Sequence, residues 1–185
     1  MRVTDERQQR RFETMIVPNL DDALSLARWL TGNAADAEDV VQEACLRAFN
    51  AIDACDDQKA RAWLLAIVRN CAFTWMGRNR PKAVIVTDDT NMLEQAVPVA
   101  HAEIMTPETE LIAKADKDML HQAIARLPTG FRETLVLREF NDCSYREIAD
   151  IVHVPVGTVM SRLARARALL MTEVARLQSE TGSRP

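Results

Sequence analysis

Residues 144–167, Ser-Tyr-Arg-Glu-Ile-Ala-Asp-Ile-Val-His-Val-Pro-Val-Gly-Thr-Val-Met-Ser-Arg-Leu-Ala-Arg-Ala-Arg, constrain the fold more than any other segment. They encode two helices separated by a short turn. Ser144 and Glu147 have the spacing of a capping box, which satisfies the free backbone N–H groups at a helix start. Ile148, Ile151 and Val152 give the first helix one apolar face. Pro155 is expected to stop it and to suit the start of the next, where a fixed helical φ helps and the missing N–H is not needed. The second helix should bury Val156, Val159, Leu163, Ala166 and Leu170, spaced three or four apart. Its other face carries Thr158, Ser161, Arg162 and Arg165, with Arg167 at its flank. No acidic residue lies between Asp150 and Glu173. A helix presenting hydroxyl and guanidinium donors after a tight turn is what major-groove and phosphate contact require. Most charged helix faces are merely solvated. The short turn, the capped first helix and the one-sided charge together favour a DNA-binding helix-turn-helix.

The net charge of −4 hides an uneven distribution. Residues 1–80 hold 11 Lys/Arg against 12 Asp/Glu, residues 81–115 hold 2 against 6, and residues 116–185 hold 10 against 9. Any DNA binding must therefore come from local basic faces, because the overall balance is acidic. An apolar fraction of 48% with 5% aromatics and five glycines points to helical cores and away from a β-rich fold. No apolar run approaches the roughly 20 residues that cross a bilayer. The N-terminus is charged, unlike a signal peptide, so the expected location is the cytoplasm. There Cys45, Cys55, Cys71 and Cys143, which form no C-x-x-C pair and do not cluster with histidine, are expected to be reduced thiols and not metal ligands.

The expected fold is all-α, with two small helical domains joined by a flexible acidic linker. The boundaries read from the sequence are 1–80, a linker at 81–107, a second domain at 108–176 and a polar tail at 177–185. In the first domain Phe12, Ile16, Leu20, Leu24, Ala27 and Leu30 form a stripe interrupted at Pro18 and closed by Thr31-Gly32-Asn33. A helix from about 35 to 51 turns Val40, Val41, Ala44, Ala48 and Ile52 inward, and Asp36, Asp39, Gln42 and Glu43 outward. Acids near a helix start also favour its macrodipole, which explains part of that pattern. A third helix, about 58–78, buries Leu64, Ile67, Val68, Cys71 and Trp75. Roughly opposite, Ala66, Arg69, Asn70, Phe73 and Gly77 share a face. Charge for phosphate, amide for base edges and a ring for stacking suit nucleic acid. Periodicity alone equally allows Phe73 to pack under another helix and Arg69 to be solvated.

Pro81 ends this module. Residues 82–107 contain Pro98, Pro107, a β-like Val84-Ile85-Val86 and no helical period, as a tether would. Helices then resume over about 108–127 and 128–140. No nucleophile–base pair, phosphate loop, dinucleotide motif or metal-ligand spacing is present, so neither catalysis nor a cofactor is expected.

Three segments carry a resemblance: Leu30-Thr-Gly-Asn-Ala-Ala-Asp-Ala-Glu-Asp-Val-Val-Gln-Glu-Ala44, Ala62-Trp-Leu-Leu-Ala-Ile-Val-Arg-Asn-Cys-Ala72, and Leu127-Pro128 through Arg167. In this order and spacing the chain resembles a sigma-70-family factor of the small extracytoplasmic-function (ECF) type, which keeps regions 2 and 4. The first segment resembles the helix that binds the β′ clamp helices of RNA polymerase, the second the −10 melting and recognition helix, and the third the −35 reader of region 4. The resemblance implies that Asp36, Asp39, Gln42 and Glu43 contact core polymerase. It places Trp63, Arg69, Asn70 and Phe73 at the −10 element, with the loop around Cys55 to Ala60 holding a flipped base. It implies partners: core RNA polymerase (β′ clamp helices and β flap), promoter DNA and an anti-sigma factor in a stress or envelope response. No small-molecule substrate and no membrane insertion are implied. The acidic linker would thread toward the polymerase active site.

Two departures refine this. Trp63 is followed by Leu64 where primary sigma factors pair two tryptophans, which implies weaker promoter melting. Met160 and Ala164 stand where relatives can carry a basic and an aromatic residue. Base reading then falls mainly to Ser161 and Arg165, and phosphate contact to Arg162 and Arg167, with Thr158 on the same face. A stand-alone helix-turn-helix regulator would leave the Asp36–Glu43 face unexplained. A mimic that only sequesters an anti-sigma factor would have no use for Arg162, Arg165 and Arg167.

Overall fold

The computed structural model describes residues 2–79 and 107–182, with side chains over 6–79 and 117–180. The expected linker, with its Val84-Ile85-Val86 stretch, lies almost wholly outside the described residues. Among the described residues eight α-helices follow in order: α1 (Arg2–Met15), α2 (Leu20–Thr31), α3 (Ala34–Asn50), α4 (Ala60–Asn79), α5 (Pro107–Arg126), α6 (Thr129–Glu139), α7 (Tyr145–Val152) and α8 (Val156–Gly182). Short 3₁₀ turns at Val17–Asn19, Ile52–Ala54 and Asp57–Lys59 join the first four, and no strand occurs among the described residues.

Helices α2, α3 and α4 pack pairwise, and α1 lies against α3. Ala23, Ala27, Ala37, Ala44 and Ala48 are fully buried, as are Leu26, Leu30 and Leu64. Small residues at the contacts let helix axes approach toward the lower end of the usual ~8–10 Å. Gly32, at φ 77°, ends α2 with its N–H donating to the Arg28 carbonyl. Asn33 then caps α3 by accepting from the Asp36 N–H at 3.2 Å. In the second module α5, α6 and α7 gather on α8 around Ile124, Leu127, Leu137, Ile148, Ile151, Val159 and Leu163.

The two modules are packed together, α6 on α2 and α7 on α4. This explains where α4 departs from its expected single buried stripe. Leu64, Val68 and Cys71 are buried as expected, but Leu65 and Ala72 are buried as well, while Ile67 and Trp75 are only partly covered. Helix α4 is enclosed from both sides, a circumstance that its own periodicity does not encode.

Candidate nucleic-acid and polymerase interface

The helix-turn-helix forms as its residues dictate. The Ser144 hydroxyl accepts from the Glu147 N–H at 3.3 Å, and the Glu147 carboxylate accepts from the Ser144 N–H at 2.8 Å. That backbone hydrogen bond holds the Glu147 carboxyl below its ordinary value. The stop of α7 differs from expectation. His153, at φ 56°, ends the helix in the left-handed conformation two residues before Pro155. Pro155 sits just ahead of α8, its carbonyl accepting from the Thr158 and Val159 N–H groups. Val159, Leu163 and Ala166 are buried, whereas Leu170 is half-buried and Val156 is exposed at the first turn, beyond the reach of the core. Helix α8 runs on to Gly182, past the point where the sequence suggests a polar tail.

On the outer face of α8, Ser161 and Arg167 are exposed, and Thr158, Arg162 and Arg165 are partly covered. The Ser161 hydroxyl donates to the Thr158 carbonyl at 3.0 Å, and Arg167 pairs with Glu139 at 2.8 Å. Met160 is 54% exposed on the same side, so the outward surface of this helix is less basic than its sequence reads.

Helix α4 holds Arg69 and Phe73 one turn apart, with the guanidinium carbon 4.4 Å from the ring centroid. Arg69 is neither solvated nor free for a phosphate here. Its Nε donates to Glu133 of α6 at 2.6 Å, and a second guanidinium nitrogen donates to the other carboxylate oxygen at 3.2 Å. Asn70 beside it is exposed, and Trp63 and Phe73 are partly buried. Arg162 of α8 stands 3.8 Å from the same Glu133 carboxylate, whose side chain is 2% exposed. Burial pushes the Glu133 carboxyl above its usual range, against the opposing pull of Arg69 and Arg162.

Helix α3 presents a different surface. Asp39, Gln42 and Glu43 are exposed and Glu43 pairs with Arg47 at 2.8 Å. Asp36 is half-buried; its carboxylate accepts from the Asn33 side-chain amide, and its backbone N–H donates to the Asn33 cap. Leu46, one turn beyond Gln42 and Glu43, is 63% exposed. An isolated exposed leucine needs no explanation. Here it lies beside the exposed Gln42 and Glu43 on the same helix.

Residues 15–81 match the family model for sigma-70 region 2, and residues 117–170 match that for sigma-70 region 4. Over 171 residues the chain is 32% identical to the ECF RNA polymerase sigma-E factor of Escherichia coli strain K12, covering 90% of this chain and 87% of that protein. It belongs to the ECF sigma factors of the sigma-70 family. ECF RNA polymerase sigma factor SigW of Bacillus subtilis strain 168 is 31% identical over 160 residues, 83% of each chain. The solved structure of the sigma factor RpoE in complex with the anti-sigma factor NepR from Bartonella quintana superposes with a TM-score of 0.65 at 25% identity, over 89% of this chain and 96% of that one. As a sigma factor the chain binds core RNA polymerase and promoter DNA and directs promoter-specific initiation of transcription.

The seam between the modules of this sigma factor holds residues that sequence periodicity does not single out. Arg61 of α4 pairs with Asp22 of α2 at 2.6 Å and also donates to the Asn141 carbonyl. Asn141, itself buried, donates to the Asp22 carbonyl at 3.1 Å, and Arg132 donates to the Trp29 carbonyl at 3.3 Å. The Trp29 ring stacks on His121 at 4.7 Å between centroids and leans on Phe140 at 4.8 Å. Arg61 also donates to Cys143, whose burial raises the thiol to about 11. Among the described residues no group of His, Cys, Asp or Glu is arranged to hold a metal ion, and no helix is long and apolar enough to cross a membrane.

Proposed function

We propose that this sigma factor reads promoters at two points, with a separate polymerase-docking face on α3. Residues 1–80 form region 2, 81–107 the linker, 108–176 region 4 and 177–185 the tail. Trp63, Arg69, Asn70 and Phe73 engage and open the −10 element. Ser161 and Arg165 read −35 bases, Arg162 and Arg167 hold phosphates, and Thr158 supports them. Asp36, Asp39, Gln42 and Glu43 dock on the β′ clamp helices together with Leu46. The protein works in the cytoplasm, where the polymerase is, and performs no catalysis. An anti-sigma factor controls it, as one binds the Bartonella relative.

The observation that carries this reading is the division of surfaces. Hydroxyl and guanidinium donors lie on α4 and α8, one helix from each matched region, while an exposed acidic face lies on α3. Two weak DNA contacts become effective when core polymerase fixes their spacing. Run-off transcription with purified bacterial core polymerase on templates selected by the holoenzyme tests it. The wild-type chain is expected to give promoter-directed transcripts. Charge reversal at Asp39 and Glu43 should abolish polymerase binding while leaving the fold intact. Arg165→Ala should alter preference within the −35 element. Retained binding in the charge-reversed variant would refute the docking assignment.

A further inference from the structure

Arg7, Arg10 and Arg11 stand three and four residues apart, so α1 carries them on one face. With Thr14, Met15 and Asp57 they line an open notch of about 320 Å³, space for about ten waters at ~30 Å³ each. The notch lies against the segment that joins α3 to α4. The Gln8 amide donates to Asp53 at 2.7 Å, and Arg11 donates to the Cys55 carbonyl at 2.9 Å and to Asp57 at 2.7 Å. Arg11 is therefore neutralised and braces that segment. Arg7 and Arg10 are exposed, and among the described residues neither has a carboxylate partner. The Arg10 Nε donates to the Glu6 carbonyl at 3.2 Å and leaves the Glu6 carboxylate alone, while Glu13 accepts from Gln9. Like charges one helical turn apart destabilise a helix. Stability alone gives no reason to set two unpaired guanidiniums beside a third, and an anion seated in the notch relieves their repulsion.

We propose that this notch on α1 is a phosphate-binding site, with Arg7 and Arg10 as its ligands. The phosphate is that of an opened promoter strand or of a free nucleotide. Guanidinium presents paired donors that match phosphate oxygens, and it stays charged at any working pH. Three arginines against one aspartate leave the notch a surplus of positive charge, and that aspartate is already taken by Arg11. Neither α4 nor α8, the helices assigned to the −10 and −35 elements, lends a residue to its lining. The strand as source rests on the reading of region 2 as the −10 module, with the flipped base held by the loop from Cys55 to Ala60. A strand leaving that loop along α1 passes the notch. Contact there fixes the path of the backbone without reading its sequence.

Arginine Nε–Hε resonances of the isotope-labelled full-length chain test the site, assigned with Arg7→Lys and Arg10→Lys. Three probes are added separately: an oligothymidylate of about ten nucleotides, pyrophosphate, and chloride at matched ionic strength. Arg7 and Arg10 should shift with a phosphate probe beyond the change that chloride produces. A response at lower strand than pyrophosphate concentration identifies the backbone as the source, and the reverse order identifies a free phosphate compound. The holoenzyme on a promoter with a preformed bubble supplies the second readout. For single strands the log–log salt slope changes by about 0.7 per phosphate contact, so Arg7→Gln with Arg10→Gln should reduce it by about 1.4 and weaken binding about 25-fold at ~0.1 M salt. Both residues are exposed, so the double variant should keep the fold, as circular dichroism checks. An unchanged slope with a pyrophosphate response leaves a site for the free compound. An unchanged slope with unmoved arginines overturns the site altogether. Asn70→Ala on the same templates reports separately on the −10 reading. If it loses −10 preference while the double variant keeps the wild-type slope, the −10 reading stands without the notch contact; the opposite pair of results leaves the notch without that reading.

Discussion

Replacing Arg69 by alanine should destabilise the chain in a way that depends on pH with a definite sign. The substitution removes two charge-assisted hydrogen bonds from a carboxylate that is 2% exposed, leaving Arg162 at 3.8 Å as its remaining cation of the pair. Breaking a buried ion pair from one side typically costs about 3–5 kcal/mol, because the surviving charge is stranded. Glu133 has an escape, which is to take up a proton. For a carboxyl of ordinary value 4.5 this costs about 3.4 kcal/mol at pH 7, from 2.5 pH units at ~1.36 kcal/mol each. Protonation therefore caps the penalty near 3 kcal/mol at pH 7, and the cap falls by about 1.4 kcal/mol per pH unit on acidification. Burial raises the Glu133 carboxyl in the fold, and loss of Arg69 raises it further. A raised value contributes stability that is present at low pH and lost as pH rises through it, so the defect should be largest at neutral pH. Urea denaturation of wild type, Arg69→Ala, Glu133→Gln and the double variant at pH 7 and near pH 5.5 measures this. Arg69→Ala should be clearly less damaging in the Glu133→Gln background. A loss under ~0.5 kcal/mol at pH 7, or one that grows on acidification, would refute the reasoning.

Ser144→Ala should cost about 1 kcal/mol by uncapping α7, measured by thermal denaturation. The Glu147 carboxyl is held low in the fold, so its stabilisation should be present at neutral pH and lost as pH falls through its depressed value, and Glu147→Gln should remove that acid sensitivity. Cys143, raised to about 11, should react with a disulfide reagent at pH 8 far more slowly than partly exposed Cys45, as peptide mass mapping can show. Leu46→Ala should leave stability within about 0.5 kcal/mol of wild type yet weaken core polymerase binding, since the side chain is 63% exposed.

What could be read from the sequence follows the range of the interactions involved. The capping box of α7, the Gly32 stop, the buried rows of α2 and α3 and the core of α8 are set by neighbours within a few residues, so periodicity and turn chemistry reveal them. The left-handed His153 is harder to read, because no glycine or asparagine announces it and Pro155 stands nearby as the more obvious breaker. Leu65, Ala72, Glu133 and Asn141 were not legible at all. Their burial depends on the other module, and nothing in the local pattern of α4 or α6 says that a second surface will cover it. For the same reason Arg69 reads in the sequence as either a nucleic-acid contact or a solvated side chain, and in the fold is half of an ion pair. Asp36 illustrates the opposite limit, where its place in the first turn of α3 already supplied a local explanation for its charge through the macrodipole.

The most direct test is the separation of α4 and α8 in the free chain and on promoter DNA. Fluorophores attached through residues incorporated at Gly77 and Met171, both exposed and away from the seam contacts described above, would report it by energy transfer. The account predicts efficient transfer in the free sigma factor, and loss of transfer in the holoenzyme–promoter complex as the two helices move toward elements about 85 Å apart at ~3.4 Å per base pair. Equal transfer in the two states would contradict it.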